Sequence, residues 1–312
     1  DKAAEYGVKV GTHTLSSFVD YGDPLVTTKE NKGQFAGAPL AQLTQDAEAG
    51  ATELYVTADW KNIGMTKQLG DDLFSIFDAT PSGDGYRISL STPLKYSHSA
   101  GETVFGLYNN VYGGLIGGVE QTKEFARLFA EAFNKTGLSQ ISFDGVEAGE
   151  YNGYSHYPVS YIQNEFYNQL DPDIKDGIIS DSSGGYPNAW HFNTRQNWGE
   201  PWGAPMRGGM IDYRYDNQLY FERNFTPKML GWFIYGSGQP TVDIEWMLAK
   251  SAGFDAGYAL VTSLAVLEGN GNTHEVLEAV KEWQKAREIG AFTEDQKKRM
   301  LDTSKDWHLE KT

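Results

Sequence analysis

The run Leu138-Ser139-Gln140-Ile141-Ser142-Phe143-Asp144-Gly145-Val146-Glu147 constrains this chain most, because it reads as a short buried strand followed at once by carboxylates. An amphipathic helix precedes it. Phe125, Leu128, Phe129, Ala132 and Phe133 recur at helical spacing from about Val119 to Asn134, and Asn134 and Gly137 close the helix. On the strand, Ser142 and Asp144 share one face and Ile141, Phe143 and Val146 the other. Helix, tight turn, apolar strand and acid is the grammar of a (β/α)8 TIM-type barrel, where the carboxyl ends of the strands carry the chemistry.

The same grammar recurs downstream. Tyr157 to Leu170 reads as a helix, Gly177 to Asp181 as a strand ending in an acid, and Ala189 to Arg195 as an alternating strand. Met210 to Asn224 is helical, Met229 to Tyr235 a strand, Val242 to Ser251 a helix capped by Thr241, Ala256 to Thr262 a strand and His274 to Gly290 a helix. With the strand Val8 to Thr14 this makes about six barrel strands where eight are needed. The pattern predicts an α/β barrel lacking its first strands in this chain. Asp1 to Tyr6 fits that, since it reads as the end of a helix stopped at Gly7. An open α/β sheet is the other architecture compatible with these elements.

Between about Asp20 and Ala100 helical periodicity nearly vanishes. Short alternating stretches replace it, such as Glu53 to Thr57, Leu73 to Phe77 and Tyr86 to Leu90, separated by glycines and aspartates. The expected organisation is one barrel over 1–312 with a small β subdomain inserted at 20–100. Inserted after the His13 strand, it would stand over or beside the mouth of the barrel.

Composition removes several function classes. Net charge is −16, which opposes nucleic-acid binding. No run of about 18 or more apolar residues is present, so no membrane span is expected. There is no cysteine, which removes disulfides and thiolate metal sites. No glycine-rich phosphate loop or nucleotide fingerprint follows any strand, so no cofactor is expected. His13, Asp181 and His191 have the chemistry of metal ligands but no tight histidine spacing, and no metal is assigned.

The predicted strand ends supply His13, Asp144 with Glu147, Asp181, the set His191, Asn193 and Arg195, and Tyr235 and Thr262. The following loop holds Trp198, Glu200 and Trp202, with Arg207 close behind. Aromatic rings stack on the apolar face of a sugar while carboxylates, amides and guanidinium groups bind its hydroxyls. Glycoside cleavage needs two carboxyl groups, and Asp144, Glu147, Asp181 and Glu200 are the candidates on one rim. Each has a plain alternative: Asp144 as a turn residue before Gly145, Glu147 as a solvated loop acid, Glu200 as punctuation before Pro201. His191, Asn193 and Arg195 alternate and would share one strand face, either against a ligand or in a satisfied core network.

Ile141 to Glu147, Asn197 to Trp202, Asp243 to Trp246 and Ala252 to Ser263, runs that together span about 120 residues, resemble the barrel of large multidomain polysaccharide-degrading enzymes of Bacteroidetes. Glycoside hydrolase family 138, retaining galacturonidases with two catalytic glutamates, is the family this is similar to, and uronic-acid polysaccharide lyases with a barrel are the other. The resemblance implies a secreted or periplasmic glycan-degrading enzyme within a larger multidomain chain, with a carbohydrate substrate and Glu147 as acid/base. No glutamate ends the strand at Tyr235, where many retaining barrels keep their nucleophile, so the second carboxylate is Glu200 or Asp144.

Three functions stay open at this point. The first is a glycoside hydrolase with Glu147 as acid. The second is a uronate lyase with His191 or Tyr154 as base and Asn193 or Arg195 neutralising the substrate carboxylate. The third is a non-catalytic glycan-binding barrel. In each, His13, Asp181, His191, Asn193, Arg195, Trp198, Trp202 and Arg207 bind substrate.

Overall fold

The computed structural model describes residues 2–15, 18–21, 23, 35–58, 66–109, 113–146, 157–183, 191–196, 206–208 and 213–310. Of these, residues up to Ile178 form one compact unit and residues from Ile179 onward a second.

The first unit opens with α1 (Lys2–Glu5), β1 (Gly11–Leu15) and β2 (Phe18–Val19). A run of strands follows: β3 (Gly37–Gln42), β4 (Glu53–Val56), β5 (Lys67–Leu69), β6 (Asp72–Phe74), β7 (Ile76–Ser82), β8 (Gly85–Leu90), β9 (Thr103–Leu107) and β10 (Leu115–Ile116). It then continues through α2 (Val119–Thr136), β11 (Gln140–Asp144), α3 (Tyr157–Asn168) and α4 (Pro172–Lys175).

Its strands from Gly37 to Leu107 are antiparallel. They form a four-stranded sheet in the order β3-β9-β5-β6 and a three-stranded sheet in the order β4-β8-β7. Alternating side chains make this possible: Leu54, Val56, Ile88 and Leu90 point inward and join Leu69, Phe74 and Val104 in one apolar core. The apolar run Leu73 to Phe77 does not make one strand. It breaks at Ser75, so that β6 joins the first sheet and β7 the second, and Phe77 is left exposed.

A second core joins α2, β11 and α3. Phe133 and Phe143 both pack edge-on against Phe166, with centroids 5.1 and 5.4 Å apart, and Ile141, Val146, Val159 and Ile162 surround them. Full burial of one such side chain contributes about 1.5–3 kcal/mol, so this cluster firmly anchors the end of β11. Helix α2 stops where Gly137 takes a left-handed φ of 72° and donates its N–H to the Phe133 carbonyl. Its buried face differs from the expected stripe. Ala126, Ala130 and Phe133 are buried while Leu128 is exposed, because the face that meets α3 is the one carrying the small alanines. Asn134 lies within the helix rather than ending it. Its amide donates to the Gln169 carbonyl and its oxygen accepts from the Asp171 amide.

The second unit contains β12 (Ile179–Ser182), β13 (Arg195–Gln196), α5 (Tyr213–Arg223), β14 (Met229–Ile234), α6 (Thr241–Phe254), β15 (Gly257–Val261), α7 (Leu264–Gly269), α8 (Thr273–Glu288) and α9 (Glu294–Met300). Pro240 rather than Thr241 occupies the N-cap of α6. From Ile244 to Ala252 every residue of α6 is buried, and Leu230, Phe233, Val276, Trp283 and Met300 belong to the same core. Two charged side chains are buried along α6. Glu245 accepts from the Trp283 indole at 3.0 Å, the Leu309 amide at 3.2 Å and His308 Nδ1 at 2.7 Å. Lys250 donates to the carbonyls of Met300 and Asp302, with its ammonium 4.8 Å from the Trp246 ring centre.

The expected (β/α)8 barrel is not this structure. No described sheet exceeds four strands, seven strands of the first unit form the two antiparallel sheets above, and β14 pairs with β15 in a two-stranded sheet. A barrel requires each strand to be bonded on both edges around a closed ring, a condition the two-stranded sheet does not meet. The fold is mixed α/β with several small sheets. Ala189 to Arg195 also departs from its expected strand. Residues 191–192 form a turn, and only Arg195–Gln196 are extended in a ladder, so His191 does not alternate along a strand with Arg195. Among the described residues no helix is long and apolar enough to cross a membrane.

Candidate functional site

Strand β11 carries Asp144 to the carboxyl end of a parallel pair. β1 lies beside it in register, His13 opposite Ser142 and Leu15 opposite Asp144. His13 Nε2 lies 3.3 Å from Asp144 Oδ2, with the two side chains 43% and 34% exposed. Asp144 Oδ1 accepts the Gly145 amide at 2.9 Å. Gly145 is required for two reasons: its φ is +66°, and a Cβ there would meet the Phe18 ring at 2.8 Å. Backbone turn, aromatic contact and apolar anchor together aim this carboxylate, while solvent still reaches it. Its expected partner Glu147 lies outside the described residues, as do Tyr154, Trp198, Glu200 and Trp202.

In the second unit β12 and β13 are parallel, with Asp181 opposite Arg195. Arg195 Nε donates to Asp181 Oδ2 at 2.7 Å, and Asp181 is 1% exposed while Arg195 is 33% exposed. Asp181 Oδ1 is buried without a hydrogen-bond partner among the described residues. Ser180 Oγ lies 3.3 Å from the Asn193 oxygen, and the Thr194 hydroxyl bonds the Ser180 backbone. Asn193 and Arg195 therefore hold this strand pair together. His191 is exposed and packs edge-on against Phe192.

Arg207, expected on a substrate rim, bridges two carboxylates of its own unit. It donates to Asp243 and Asp306, each at 2.6 Å, and its guanidinium lies over the Trp246 ring. Burial opposes its charge, but the two carboxylates outweigh that and hold its pKa above the ordinary arginine value. Its fork is committed to fastening the C-terminal segment onto α6.

One cluster has no precursor in the sequence reading. In the antiparallel region His98 is buried, with Nε2 3.0 Å from Asp72 Oδ2 and Nδ1 3.0 Å from Glu102 Oε2. Asp72 also accepts the amides of Lys95 and Tyr96, and Glu102 accepts the amide of Ser99. The four-residue spacing of His98 and Glu102 was a visible signal, but Asp72 arrives from a different hairpin. Among the described residues no group of three or more histidine, aspartate or glutamate side chains is arranged to hold a metal ion. No protein-family model matches the chain, and no curated protein matches it.

Proposed function

We propose that this chain is a glycoside hydrolase in which Glu147 and Asp144 are the two participating carboxyl groups, acting outside the cytoplasm within a larger protein. The observation that carries the reading is Asp144: a solvent-reached carboxylate at the carboxyl end of a parallel strand, aimed by the Gly145 amide and set on a rigid apolar anchor. Ligands of α/β sheets bind beyond the carboxyl ends of strands, and glycoside cleavage requires a positioned pair of carboxyl groups. The two tryptophans that flank Glu200 in the sequence have rings of the kind that stack on a sugar.

A second reading draws on the His13–Asp144 contact. An imidazole oriented by a carboxylate is the arrangement of a general base, which suits proton abstraction from a uronate and β-elimination. A polysaccharide panel assayed for both new reducing ends and unsaturated-product absorbance separates the two. New reducing ends without absorbance support hydrolysis, absorbance supports the lyase, and binding without turnover on every glycan leaves a non-catalytic binder. Glu147→Gln should lower hydrolysis by about 10² to 10⁴ while substrate binding survives, and unchanged turnover removes Glu147 from the mechanism.

A further inference from the structure

Helix α2, 18 residues long, begins without a side-chain cap. Gly118 is its N-cap, extended at φ −71° and ψ −179°, and has no side chain to accept from the first turn. Its carbonyl accepts both the amide and the hydroxyl of Thr122, each at 2.9 Å. The backbone N–H groups of Val119, Glu120 and Gln121 find no acceptor among the described residues. Gln121 is 2% exposed, and its Nε2 is buried without a hydrogen-bond partner. Its side chain folds back over Gly117, where an added Cβ would lie 3.2 Å from Gln121 Cγ. The side-chain amide therefore joins the three backbone donors at the amino end of the helix. Buried donors are almost always paired, so one left unfilled marks a place for an acceptor from outside the chain. Gly118 and Val119 are half-buried, so solvent reaches this end, and Glu120, the acid of the first turn, is exposed. The site adjoins the Asp144 turn. Ile116, two residues before Gly118, pairs with Phe18, and the Phe18 ring is what a Cβ on Gly145 would meet at 2.8 Å.

The geometry points to the amino end of α2 as an oxyanion-binding subsite, for an acidic substituent of the glycan acted on at Asp144. The glycan in that statement rests on the hydrolase reading, and the oxyanion site does not. Backbone N–H groups and the positive end of the helix dipole favour an anion there, and Gln121 Nε2 adds a fourth donor. A carboxylate or a sulfate ester offers several acceptor oxygens to these donors. A neutral hydroxymethyl group offers one, which must also find an acceptor for its own proton. The chain's net charge of −16 gives an anionic glycan no long-range attraction, so local donors have to supply the selectivity. Gln121 is thereby a specificity-determining residue. Gly117 and Gly118 serve it by leaving room for its side chain and by leaving the helix end uncapped.

The test is an NMR titration of the intact protein with inorganic sulfate, inorganic phosphate, galacturonate and galactose 6-sulfate, with galactose as the neutral control, read at the Val119, Glu120 and Gln121 amides. At least one of the four anions shifts these amides saturably, and galactose does not. A response to galacturonate alone identifies the substituent as a carboxylate, and a response to sulfate and galactose 6-sulfate identifies it as a sulfate ester. Gln121→Leu keeps the buried volume, removes the side-chain donor and weakens anion binding about tenfold. Gly118→Asp caps the helix with its own carboxylate, which should raise the melting temperature and abolish anion binding. The second variant keeps the test decisive where the first fails to fold. No response to any anion, an equal response to galactose, or undiminished anion binding by Gly118→Asp each overturns the proposal. On a glycan that is turned over, Gln121→Leu raises KM and leaves kcat near wild type, whereas Asp144→Asn lowers kcat. The titration needs no turnover, so failure of the hydrolase reading and failure of this one are distinguishable.

Discussion

His13–Asp144 and Arg195–Asp181 begin from the same motif, an acid near the carboxyl end of a parallel strand with a basic residue on the neighbouring strand. They differ in the properties that decide use. Both members of the first pair reach solvent, at 43% and 34%, whereas Asp181 is 1% exposed. A solvated pair is worth about 0–1 kcal/mol, so Asp144 can exchange His13 for a substrate at little expense. Asp181 is buried and Arg195 is its one cation among the described residues, so releasing it leaves an uncompensated charge. The bases differ too, since a neutral imidazole can both donate and accept a hydrogen bond whereas a guanidinium only donates. The contrast teaches that an acid at a strand end is a candidate for chemistry only after its exposure is known.

The largest effect expected from this comparison is on turnover. Asp144→Asn should lower kcat/KM on the responsive glycan by about 10² to 10⁴, with a urea midpoint close to wild type. A stability loss with unchanged turnover would reverse the roles assigned to the two acids. Next comes Arg195→Met, which keeps length and packing but strands the Asp181 carboxylate. It should destabilise the protein by about 3 kcal/mol in urea unfolding, and a change below about 1 kcal/mol would break the comparison.

Lys250 extends the buried side of the contrast. Burial lowers its pKa from 10.5 to about 8, with Arg207 adding to the shift and Asp302 opposing it. Between those values the unfolded chain binds more protons at this residue than the folded one does. Its contribution to stability therefore rises as pH climbs from about 8 to 10.5. Wild type should gain about 2 kcal/mol relative to Lys250→Met across that window. A flat or falling difference would show that the ammonium is not held down by burial. The smallest effect is His13→Ala, expected to change stability by no more than about 0.5 kcal/mol. A larger loss would move His13–Asp144 into the structural class with Arg195–Asp181.

Much of the local structure was legible in the residues. The helix before Gly137 and the strand Gln140–Asp144 follow from hydrophobic period and from a glycine able to take positive φ. The strands Met229–Ile234 and Gly257–Val261 were readable as apolar β-rich runs between turn signals. Leu128 was misplaced because helical spacing identifies a stripe but not which part of it meets a neighbour. The run from Ala189 to Arg195 misled because alternation over seven residues does not reveal that His191 and Phe192 occupy a turn. The His98 cluster was illegible for a different reason: Asp72 and His98 meet across 26 positions of sequence.

The amino-acid sequence alone therefore determined the local elements, the acidic surface, the absence of thiol chemistry and the candidate acids at strand ends. All of these depend on residue identity and on neighbours within a few turns of chain. Tertiary structure alone decided that the sheets stay small instead of closing into a barrel, that Asp144 is open while Asp181 is sealed, and that Arg207 fastens the C-terminal segment. Strand pairing and burial are set by contacts between residues distant in sequence, and hydrophobic period carries no record of which strands will become partners.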